Sequence, residues 1–573
     1  MNWGYIGLSC LGFWVQGLFW GWESCFYLAL LGILFFYLAR IKASIYVPKV
    51  EGSILGLFLL GYGLSLIIYP TNASLISLIK LILVCAFVIS GVQVVKSFDD
   101  VMKWYRVYLW NVCALLLLGW LIRSDGLLES VFDYANLVAA LCMMAIIFTF
   151  PQLFSEDQKK RWVSIALFIF FLASLLATGA RIAWGITLVS VIWQTWILSG
   201  QESTRVVRRI CYGILAALSL LIVSVRFFLE ELWQELTQTS SLRIRLTYDW
   251  DALRIALDHP LLGVGAEGWD KLQYQYQTAL YSVRHIHNHV LQLWLEGGIL
   301  ALLAWGVFIW VMIRDYSIIR KCSNKQVPTD MQSIWLSTIA VVVYSTLDFI
   351  LSFPALFCAV LFYLVVRRVV LQTGGEGDLV ISRGVVMFIG TFMIVSGVIA
   401  GYREGLVVKG EAALAEGNVR TVLKYEQLPE WCIPSKDRAL LLGRAFLEKA
   451  KRTQKPEDWQ KSLYYLGGGI KEDHEDLRFY PPYVYSSLQL MTDRRAVEMA
   501  EQLILLQPRL VDNYELYAEA LHLAGDNERV LQIPKQLEEE KHKVYQEAIF
   551  KKHIPTLHPT DRLQQLIQES ASP

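Results

Sequence analysis

Residues 284–298 combine titratable and polar side chains with the start of a long apolar stretch. His285, His287 and His289 alternate along this segment, and Asn288 lies between the last two. The segment continues into an apolar run long enough to enter a membrane. Ionisable groups at a bilayer boundary are costly to desolvate, so a cluster that faces a protein cavity is a candidate functional site. We therefore expect the chemistry of this protein at this junction.

His287 is the residue of this cluster best suited to accept a proton. If the apolar helix begins here, His287, Leu291 and Trp294 are spaced i, i+4 and i+7 and share one helical face. With an unperturbed pKa of about 6.5, an imidazole at the outer tip of the helix could deprotonate a hydroxyl near neutral pH. Two alternatives stay open: the three histidines could cap an interfacial helix, or the His-x-His-x-His pattern could bind a metal.

Arginines in two other segments could bind an anion. Thr178-Gly179-Ala180-Arg181 separates two apolar runs, and a guanidinium can bind phosphate oxygens in bidentate fashion. The alternative role for Arg181 is a snorkelling anchor at the membrane surface. Arg243 and Arg245 are two residues apart and lie far apart around a helix or on opposite sides of a strand, so we expect one of them to serve the site. We favour Arg245.

The composition predicts that these segments belong to a membrane protein. Of 573 residues, 55% are hydrophobic and 18% are charged, against about 25% charged in soluble proteins. The mean hydropathy is +0.42. A net charge of +1 gives no electrostatic footprint for nucleic acid, which we exclude as a partner. Most of the nine cysteines lie in apolar runs, so we expect neither a disulfide framework nor a Cys-x-x-Cys metal site.

Apolar runs long enough to cross a bilayer predict about thirteen transmembrane helices, with membrane lipids as neighbours. These runs are 3–20, 24–40, 53–69, 74–95, 107–122, 135–151, 163–178, 182–198, 210–228, 290–313, 333–352, 355–371 and 383–401. The first has no basic start and no small-residue cleavage site, so we expect it to remain as an anchor rather than to be a cleaved signal peptide.

Basic residues between these runs predict the orientation in the cytoplasmic (inner) membrane, because cytoplasmic loops are enriched in Lys and Arg. Alternate connections carry basic clusters: Arg40, Lys42 and Lys49; Lys96, Lys103 and Arg106; Lys159, Lys160 and Arg161; Arg205, Arg208 and Arg209; Arg314, Arg320, Lys321 and Lys325; Arg367, Arg368 and Arg383. Arg123 and Arg181 are exceptions. This pattern predicts a cytoplasmic N-terminus, with the loop 229–289, the Arg181 turn and all residues after 401 on the outer side.

The fold class we predict is therefore all-α: a polytopic membrane domain over 1–401, including the outer loop 229–289, and a helical domain over 402–573. In the second domain, the aromatic, small and Pro residues at Tyr480, Tyr483, Ala496, Ala500 and Pro508 follow the TPR-like helical-hairpin repeat of about 34 residues. Such a repeat could dock an acceptor or form a rigid cap on the membrane domain.

Several ordered motifs in residues 130–370 resemble one family. The string His287-Asn288-x-x-Leu291-x-x-x-x-Glu296-x-Gly298 is similar to the motif of the O-antigen ligase and O-antigen polymerase (Wzy-type) superfamily of bacterial membrane glycosyltransferases, which includes protein O-oligosaccharyltransferases. Further similar segments are Ala180-Arg181-x-x-Trp184, Arg245 followed by His259-Pro260-x-x-Gly263-x-Gly265, Tyr134-Ala135-Asn136, and Ser345-x-x-Asp348-Phe349. The ending Ala266-Glu267-Gly268-Trp269 departs from the commoner form of the family and resembles that of its Gram-positive members.

This resemblance implies transfer of a glycan from undecaprenyl diphosphate to an acceptor outside the cytoplasmic membrane, by an inverting displacement that needs neither a metal nor another cofactor. His287 would deprotonate or orient the attacking hydroxyl, and Arg181 and Arg245 would neutralise the diphosphate. The other substrate-binding candidates are Arg243, Arg284, His285, Asn288, Glu296 and Asp348. Asp348 could orient an Arg or His of the site, or it could simply pair with a buried polar group.

The acceptor and two other classes of function stay open. If the acceptor is a lipid or a wall glycan, the protein is a polysaccharide ligase; if it is a glycan repeat unit, the protein is a polymerase. If the acceptor is a protein, the enzyme is a protein O-oligosaccharyltransferase, and the outer helical domain resembles the arrangement in those enzymes. A polysaccharide or lipid transporter or flippase would instead be expected to place ionisable groups near the midplane and to show repeated halves. A non-enzymatic assembly scaffold would leave His287 and Arg181 dispensable.

Overall fold

The computed structural model of the chain describes residues 2–123, 126–198, 240–322, 329–371, 378–490, 493–549, 551 and 554–571. These residues form two compact units. Of the described residues, the first unit contains those within 1–64, 77–242 and 287–397, and the second contains those within 65–76, 243–286 and 398–573. The second unit thus combines a large part of the predicted outer loop with the C-terminal helices.

Helices dominate the described residues of both units. From the N-terminus to residue 371 they are α1 (Asn2–Trp14), α2 (Gly21–Ile41), α3 (Lys49–Ile68), α4 (Asn72–Val94), α5 (Phe98–Ile122), α6 (Ala135–Thr149), α7 (Gln158–Ala177), α8 (Arg181–Leu198), α9 (Ser240–Asp258), α10 (Gly268–Tyr276), α11 (His289–Cys322), α12 (Thr329–Tyr344) and α13 (Pro354–Leu371). Short 3₁₀ helices cover Gln16–Leu18, Ser130–Phe132, Phe150–Phe154 and Ile350–Ser352.

The remaining helices begin with α14, which continues from the first unit into the second. They are α14 (Arg383–Ala415), α15 (Val419–Leu423), α16 (Ser435–Thr453), α17 (Pro456–Glu472), α18 (Tyr480–Gln489), α19 (Asp493–Leu506), α20 (Val511–Leu523), α21 (Asn527–Glu547) and α22 (Asp561–Ala571), with 3₁₀ helices at Lys424–Gln427, Glu430–Cys432 and Leu477–Phe479. One small element is not helical: β1 (Ser44–Val47) pairs antiparallel with β2 (Leu379–Ser382).

Nine of the described helices are long and apolar enough to cross a membrane. They confirm the predicted mostly helical, membrane-spanning class, but not the count of thirteen. Of the other four predicted spans, 210–228 lies outside the described residues, and 182–198 corresponds to α8, which is not one of the nine. The first, 3–20, is interrupted after Trp14, where Gly17 adopts a positive φ of 68°.

The predicted continuous span 333–352 was wrong at its C-terminal end. Helix α12 ends at Tyr344, and the hydroxyls of Ser345 and Thr346 bond back to carbonyls of its last turn, at 2.7 and 2.8 Å. Ser345 and Asp348 are both fully buried. Non-helical backbone at membrane depth is tolerated where protein groups satisfy it, and the Ser345 carbonyl accepts a bond from the backbone N–H of His289 at 2.8 Å.

Helices α6 and α13 form the centre of the first unit. Every residue of α6 from Leu137 to Thr149 and every residue of α13 from Pro354 to Arg367 is buried. A helix that is apolar on all sides must be surrounded by other helices or by lipid. These two helices therefore hold the segments at their ends, which include Asn136 and Phe353, in a rigid setting.

Glycines allow neighbouring helices of the first unit to approach backbone to backbone. A Cβ on Gly61 of α3 would lie 2.6 Å from the carbonyl oxygen of Gly297 in α11, and a Cβ on Gly32 of α2 would lie 2.7 Å from the carbonyl oxygen of Gly390 in α14. Small residues at such crossings are typical of membrane helix packing, where close van der Waals contact replaces the hydrophobic effect as the main attraction. The α3–α11 crossing also fixes the turn of α11 that carries Glu296.

A buried ion network joins three helices of the first unit. The Arg367 guanidinium of α13 donates to Glu51 of α3 at 2.6 Å and to Asp315 of α11 at 2.7 Å. All three side chains are at most 3% exposed. A buried arginine with two carboxylates satisfies several donors and acceptors at once, so loss of the cation would leave uncompensated buried charge.

We expect Arg367→Met to lower the free energy of unfolding by about 3–5 kcal/mol, because Glu51 and Asp315 would lose their shared cation. The measurement is unfolding of the purified protein in detergent. The neighbouring Arg368 provides a matched control: it pairs with Asp378 at 3.1 Å in a more exposed setting, and Arg368→Met should cost less than about 1 kcal/mol. Equal losses in the two variants would contradict a structural role for the buried network.

The C-terminal part of the second unit is built from consecutive helix pairs with short connections. Helices α16 and α17 pack on each other, as do α18 with α19 and α20 with α21. One core cluster of this part includes Ala496 and Ala500 from the predicted repeat pattern, packed with Tyr514 and Tyr517. The helical-hairpin character agrees with the sequence, while assignment to the TPR repeat stays a prediction.

Candidate functional site

The His287 segment leads into a capped helix, which begins two residues after His287 rather than at His287 itself. Helix α11 begins at His289, and the Asn288 side-chain oxygen accepts bonds from the backbone N–H groups of Val290 at 3.1 Å and Leu291 at 3.3 Å. Asn is a favoured N-cap residue because it satisfies these donors. His287 therefore precedes the helix, and the expectation that it shares a helical face with Leu291 was wrong.

The ring of His287 is positioned by an aromatic contact in the first unit. It packs edge-on against Phe349, with ring centroids 5.2 Å apart. Phe349 also stacks on Tyr134 at 4.6 Å. Phe349 follows the break after α12, so the non-helical segment 345–349 supplies a wall for the half-buried His287 ring.

Asp348 links the two motifs that lie furthest apart in the sequence. Its buried carboxylate accepts bonds from the Tyr134 hydroxyl at 2.6 Å and from the Asn136 side-chain amide at 2.7 Å. The structure thus shows the pairing with polar groups that was one of the two alternatives for Asp348. Tyr134 stacks on Phe349, and Asp348 is its neighbour in the chain. The Tyr134–Asp348 pairing therefore fixes the aromatic ring that contacts His287.

His289 occupies a different environment from His287. Its ring lies 5.3 Å from Trp305 and 5.4 Å from Phe357, measured between centroids, and neither ring nitrogen has a hydrogen-bond partner among the described residues. Its role there is packing of the first unit. Over the part of the chain that the structure describes, no three His, Cys, Asp or Glu side chains come together as candidate metal ligands.

Glu296 lies two turns into α11 and is held by two residues that the sequence did not single out. The Tyr62 hydroxyl of α3 donates to its carboxylate at 3.0 Å, and the Gln292 side-chain amide donates to its other oxygen. Gly298 adopts a positive φ of 66° and kinks the helix just beyond. The i, i+4 spacing of Gln292 and Glu296 was a visible signal for one of these contacts, whereas the Tyr62 contact depends on the α3–α11 crossing.

Arg181 is the first residue of α8 and is exposed at a tight turn. The Thr178 hydroxyl donates to the Leu175 carbonyl at 2.6 Å, Gly179 adopts a positive φ of 66°, and the Trp184 indole donates to the same carbonyl at 2.9 Å. These bonds close the end of α7 and start α8 within three residues. The turn therefore sets a guanidinium beside the N-terminus of an 18-residue helix, and the helix dipole favours anions at that end.

Arg243 and Arg245 lie on helix α9, in the second unit. Arg243 is exposed, whereas Arg245 is half-buried. Burial raises the pKa of the Tyr248 phenol above its usual value, and the charge of nearby Arg245 opposes part of that rise. Asp251, one to two turns further along α9, is fully buried and accepts bonds from the Thr278 backbone N–H at 2.8 Å and the Tyr281 hydroxyl at 2.7 Å. Burial raises the pKa of Asp251 to about 6, although these hydrogen bonds lower it.

Arg284 and His285 follow a segment that α10 fixes in the second unit. The Gln273 side chain both accepts from the Val283 backbone N–H at 3.1 Å and donates to the Val283 carbonyl at 3.2 Å. The buried Trp269 indole donates to the same carbonyl at 2.8 Å. These contacts position the backbone directly before Arg284, which is exposed, while His285 is half-buried.

The Gly263-Val264-Gly265 turn is a site of close approach between backbone and an aromatic side chain. Both glycines have positive φ values, 69° and 78°. A Cβ on Gly265 would lie 3.1 Å from the Cβ of Tyr69, and the Tyr69 hydroxyl donates to the Gly263 carbonyl at 3.2 Å. The turn therefore packs residues 263–265 against the segment between α3 and α4.

The predicted residues divide between the two units. The first contains Arg181, His287, Asn288, Glu296 and Asp348, and within it Asp348 directly precedes Phe349, whose ring contacts His287. The second contains Arg243, Arg245, Arg284 and His285. The catalytic and substrate-binding roles assigned to these residues stay predictions.

Comparison with known proteins supports the resemblance that the motifs indicated. No curated protein matches the chain. Residues 134–306 match the family model described as O-antigen ligase. The matched segment contains Tyr134, Arg181, Arg245, His287 and Glu296, whereas the Ser345–Phe349 segment lies beyond its C-terminal end. The match therefore supports assignment of residues 134–306 to the O-antigen ligase superfamily.

Proposed function

We propose that this protein transfers a glycan from undecaprenyl diphosphate to an acceptor outside the cytoplasmic membrane. The observation that carries the proposal is the convergence of family motifs on His287: Tyr134 and Asn136 bind Asp348, and Phe349 contacts the His287 ring. A half-buried imidazole with a fixed orientation suits general-base catalysis, because proton transfer requires the base to lie within hydrogen-bond reach of the acceptor hydroxyl.

In the proposed reaction the acceptor oxygen bonds to the anomeric carbon while the bond from that carbon to the diphosphate oxygen breaks. The proton of the acceptor hydroxyl passes to His287, and the anomeric configuration inverts. Negative charge grows on the leaving diphosphate, and Arg181 and Arg245 are proposed to stabilise it. The N-terminus of α8 beside Arg181 supports an anion-binding role for that turn.

Arg243, Arg284, His285, Asn288, Glu296 and Asp348 are proposed to contribute to substrate binding at different distances from the reacting atoms. Arg243 and Arg284 are exposed cations suited to contact phosphate or acidic sugars. Asn288 and Asp348 hold other protein groups in place, so their contribution is positional. Glu296 is held by Tyr62 and by Gln292 of its own helix, and its proposed role is to support the α11 turn below His287.

A lipid or cell-surface glycan is the acceptor class we place first, and a protein acceptor is the second. The helix pairs of residues 398–573 are the reason to retain a protein acceptor as the second candidate, because such pairs commonly form protein-binding surfaces. The two are distinguished by the product: a glycolipid or longer glycan in one case, and a glycosylated Ser or Thr in the other.

The test of the proposal is glycan transfer by the purified full-length protein in bilayer discs, with a labelled undecaprenyl-diphosphate glycan and candidate acceptors. We expect label to move from the lipid to an acceptor with chelator present, since no residue role in the proposal involves a metal. Movement of intact donor lipid across the bilayer without breakage of its glycan–phosphate bond would instead support a transporter or flippase and overturn the proposal.

The proposed orientation makes a separate prediction. A reporter enzyme that is active only outside the cytoplasm should be active when fused after residue 402 or within 229–285, and inactive within 367–383, because basic residues of the latter segment favour the cytoplasm. The readout is reporter activity in intact cells at matched expression. Activity at 367–383 would place the proposed site in the wrong compartment.

A further inference from the structure

Residues 243–286 of the family segment are joined to the C-terminal helices by two groups of charged contacts within the second unit. One group surrounds Arg509, in the connection between α19 and α20. The other surrounds Lys436, on the first turn of α16. Both join a C-terminal side chain to the loop residues that separate Arg245 from His287 in the sequence.

Arg509 is almost completely buried, with 1% of its side chain exposed. It donates to Glu540 at 3.0 Å and to Glu547 at 2.7 Å, both on α21. Its remaining guanidinium nitrogen donates to the backbone carbonyl of Gln277, in the loop. The fork geometry of a guanidinium is what allows one side chain to bind two carboxylates and a carbonyl at once.

Glu547 connects this group to helix α9, which carries Arg245. Arg254 of α9 pairs with Glu547 at 3.0 Å, and the Trp250 indole of α9 donates to the Glu547 carbonyl at 3.3 Å. Arg254 also donates to the carbonyl of Tyr276 at 3.1 Å. Burial raises the pKa of Glu547, but the hydrogen bond from Arg509 holds it below its usual value, so Glu547 is charged at neutral pH.

The Lys436 group acts at the beginning of α10. Lys436 pairs with Glu267 at 2.5 Å and with Asp473 at 3.1 Å, and Asp473 also pairs with Lys271 of α10 at 2.6 Å. All four side chains are largely buried, with at most 22% exposed. Helix α10 is therefore anchored at its first turn, while its Gln273 holds the backbone of Val283.

We propose that Arg509 is a positioning residue for glycan transfer: together with Glu540 and Glu547 it holds α9 and the Gln277–Tyr281 segment, and so orients Arg245. This inference rests on the proposed function for the role of Arg245. It assigns to the C-terminal helices a direct part in ordering the outer loop, in addition to any acceptor they bind. A cation with shared carboxylates suits this purpose, because removal of one partner disrupts the whole group.

Two measurements test the proposal on the full-length protein in bilayer discs, using Arg509→Met, Arg509→Lys and the matched control Arg529→Met. Arg529 pairs with Glu501 at 2.9 Å and with the Tyr517 hydroxyl, both on C-terminal helices. The first measurement is amide hydrogen exchange, which does not depend on enzymatic activity. Arg509→Met should speed exchange across 251–281 by roughly tenfold or more, Arg509→Lys should do so less, and Arg529→Met should leave these amides unchanged.

The second measurement is glycan transfer in a double-variant cycle. Arg509→Met should reduce turnover by roughly 10²-fold, the scale of a misplaced catalytic group. Combined with Arg245→Ala it should add little to the loss from Arg245→Ala alone, because both changes remove the same interaction. The loss from Arg529→Met should be small and should multiply with that of Arg245→Ala.

Unchanged exchange in 251–281 for Arg509→Met, or losses that multiply with Arg245→Ala, would overturn the positioning role. If Arg509→Met does not assemble, Arg254→Met removes the contact to Glu547 from the loop side and is judged by the same two criteria. Absence of transfer by the unaltered protein would overturn the proposed function, while the exchange measurement would still decide whether Arg509 holds the loop.

Discussion

His287→Ala is expected to reduce glycan transfer by roughly 10²–10⁴-fold while donor lipid remains bound, because the general base would be lost and the lipid contacts retained. The Phe349 ring that packs against His287 lies 5.2 Å away and tolerates a smaller neighbour, so the fold should persist. The measurement is transfer by the purified protein in bilayer discs with labelled donor, alongside a donor-binding assay.

His289→Phe is the matched control for His287→Ala. The His289 ring lies between Trp305 and Phe357, and its nitrogens bond to no described residue, so Phe should fill the same space and preserve activity. His285→Ala should have a milder effect than His287→Ala. Unchanged transfer by His287→Ala would refute the base assignment, and a requirement for divalent metal would revive the metal-binding interpretation of the three histidines.

Arg181→Lys should lose most activity, about 10–10²-fold, although the positive charge is kept. An ammonium group cannot reproduce the two parallel bonds that a guanidinium forms with a diphosphate, and a lost donor to developing charge typically costs a factor of this size or more. Transfer rates and donor affinity should be measured together and normalised to the amount of correctly inserted protein. We expect turnover to fall more than the amount of inserted protein does.

Arg123→Lys is the control for a membrane-surface role. Arg123 is the other arginine that departs from the basic-loop pattern; it donates to the Gly126 carbonyl at 2.8 Å and lies 5.0 Å from the centre of the Trp120 ring. We expect Arg123 to act as an interfacial anchor, with its stem along apolar surface and its charged group toward water. Its replacement by Lys should be nearly neutral. Similar small effects in Arg123→Lys and Arg181→Lys would return Arg181 to the same anchoring role.

The sequence alone determined the membrane class, most of the long helices and the resemblance to the O-antigen ligase family. Long apolar runs specify membrane helices because every backbone group must be satisfied within the helix, whatever its neighbours are. The resemblance followed from Arg181, Arg245 and the His287–Gly298 string because local motifs keep their spacing in sequence. The turns at Gly179 and Gly265 were also legible, since positive φ values favour glycine.

The tertiary structure decided how these parts meet. Tyr134 and Asp348 are 214 residues apart, so no local pattern could show that they pair beside Phe349. The break of α12 after Tyr344 was hidden by its apolar sequence, because burial within protein permits irregular backbone that hydropathy cannot register. His287 lies before α11 because Asn288 caps that helix. Several neighbouring polar residues could have served as the N-cap, and the hydrogen bonds of the folded protein decide which one does. Likewise, residues 243–286 join the C-terminal helices through Arg509 and Lys436, and such buried ion pairs exist only once distant segments fold together.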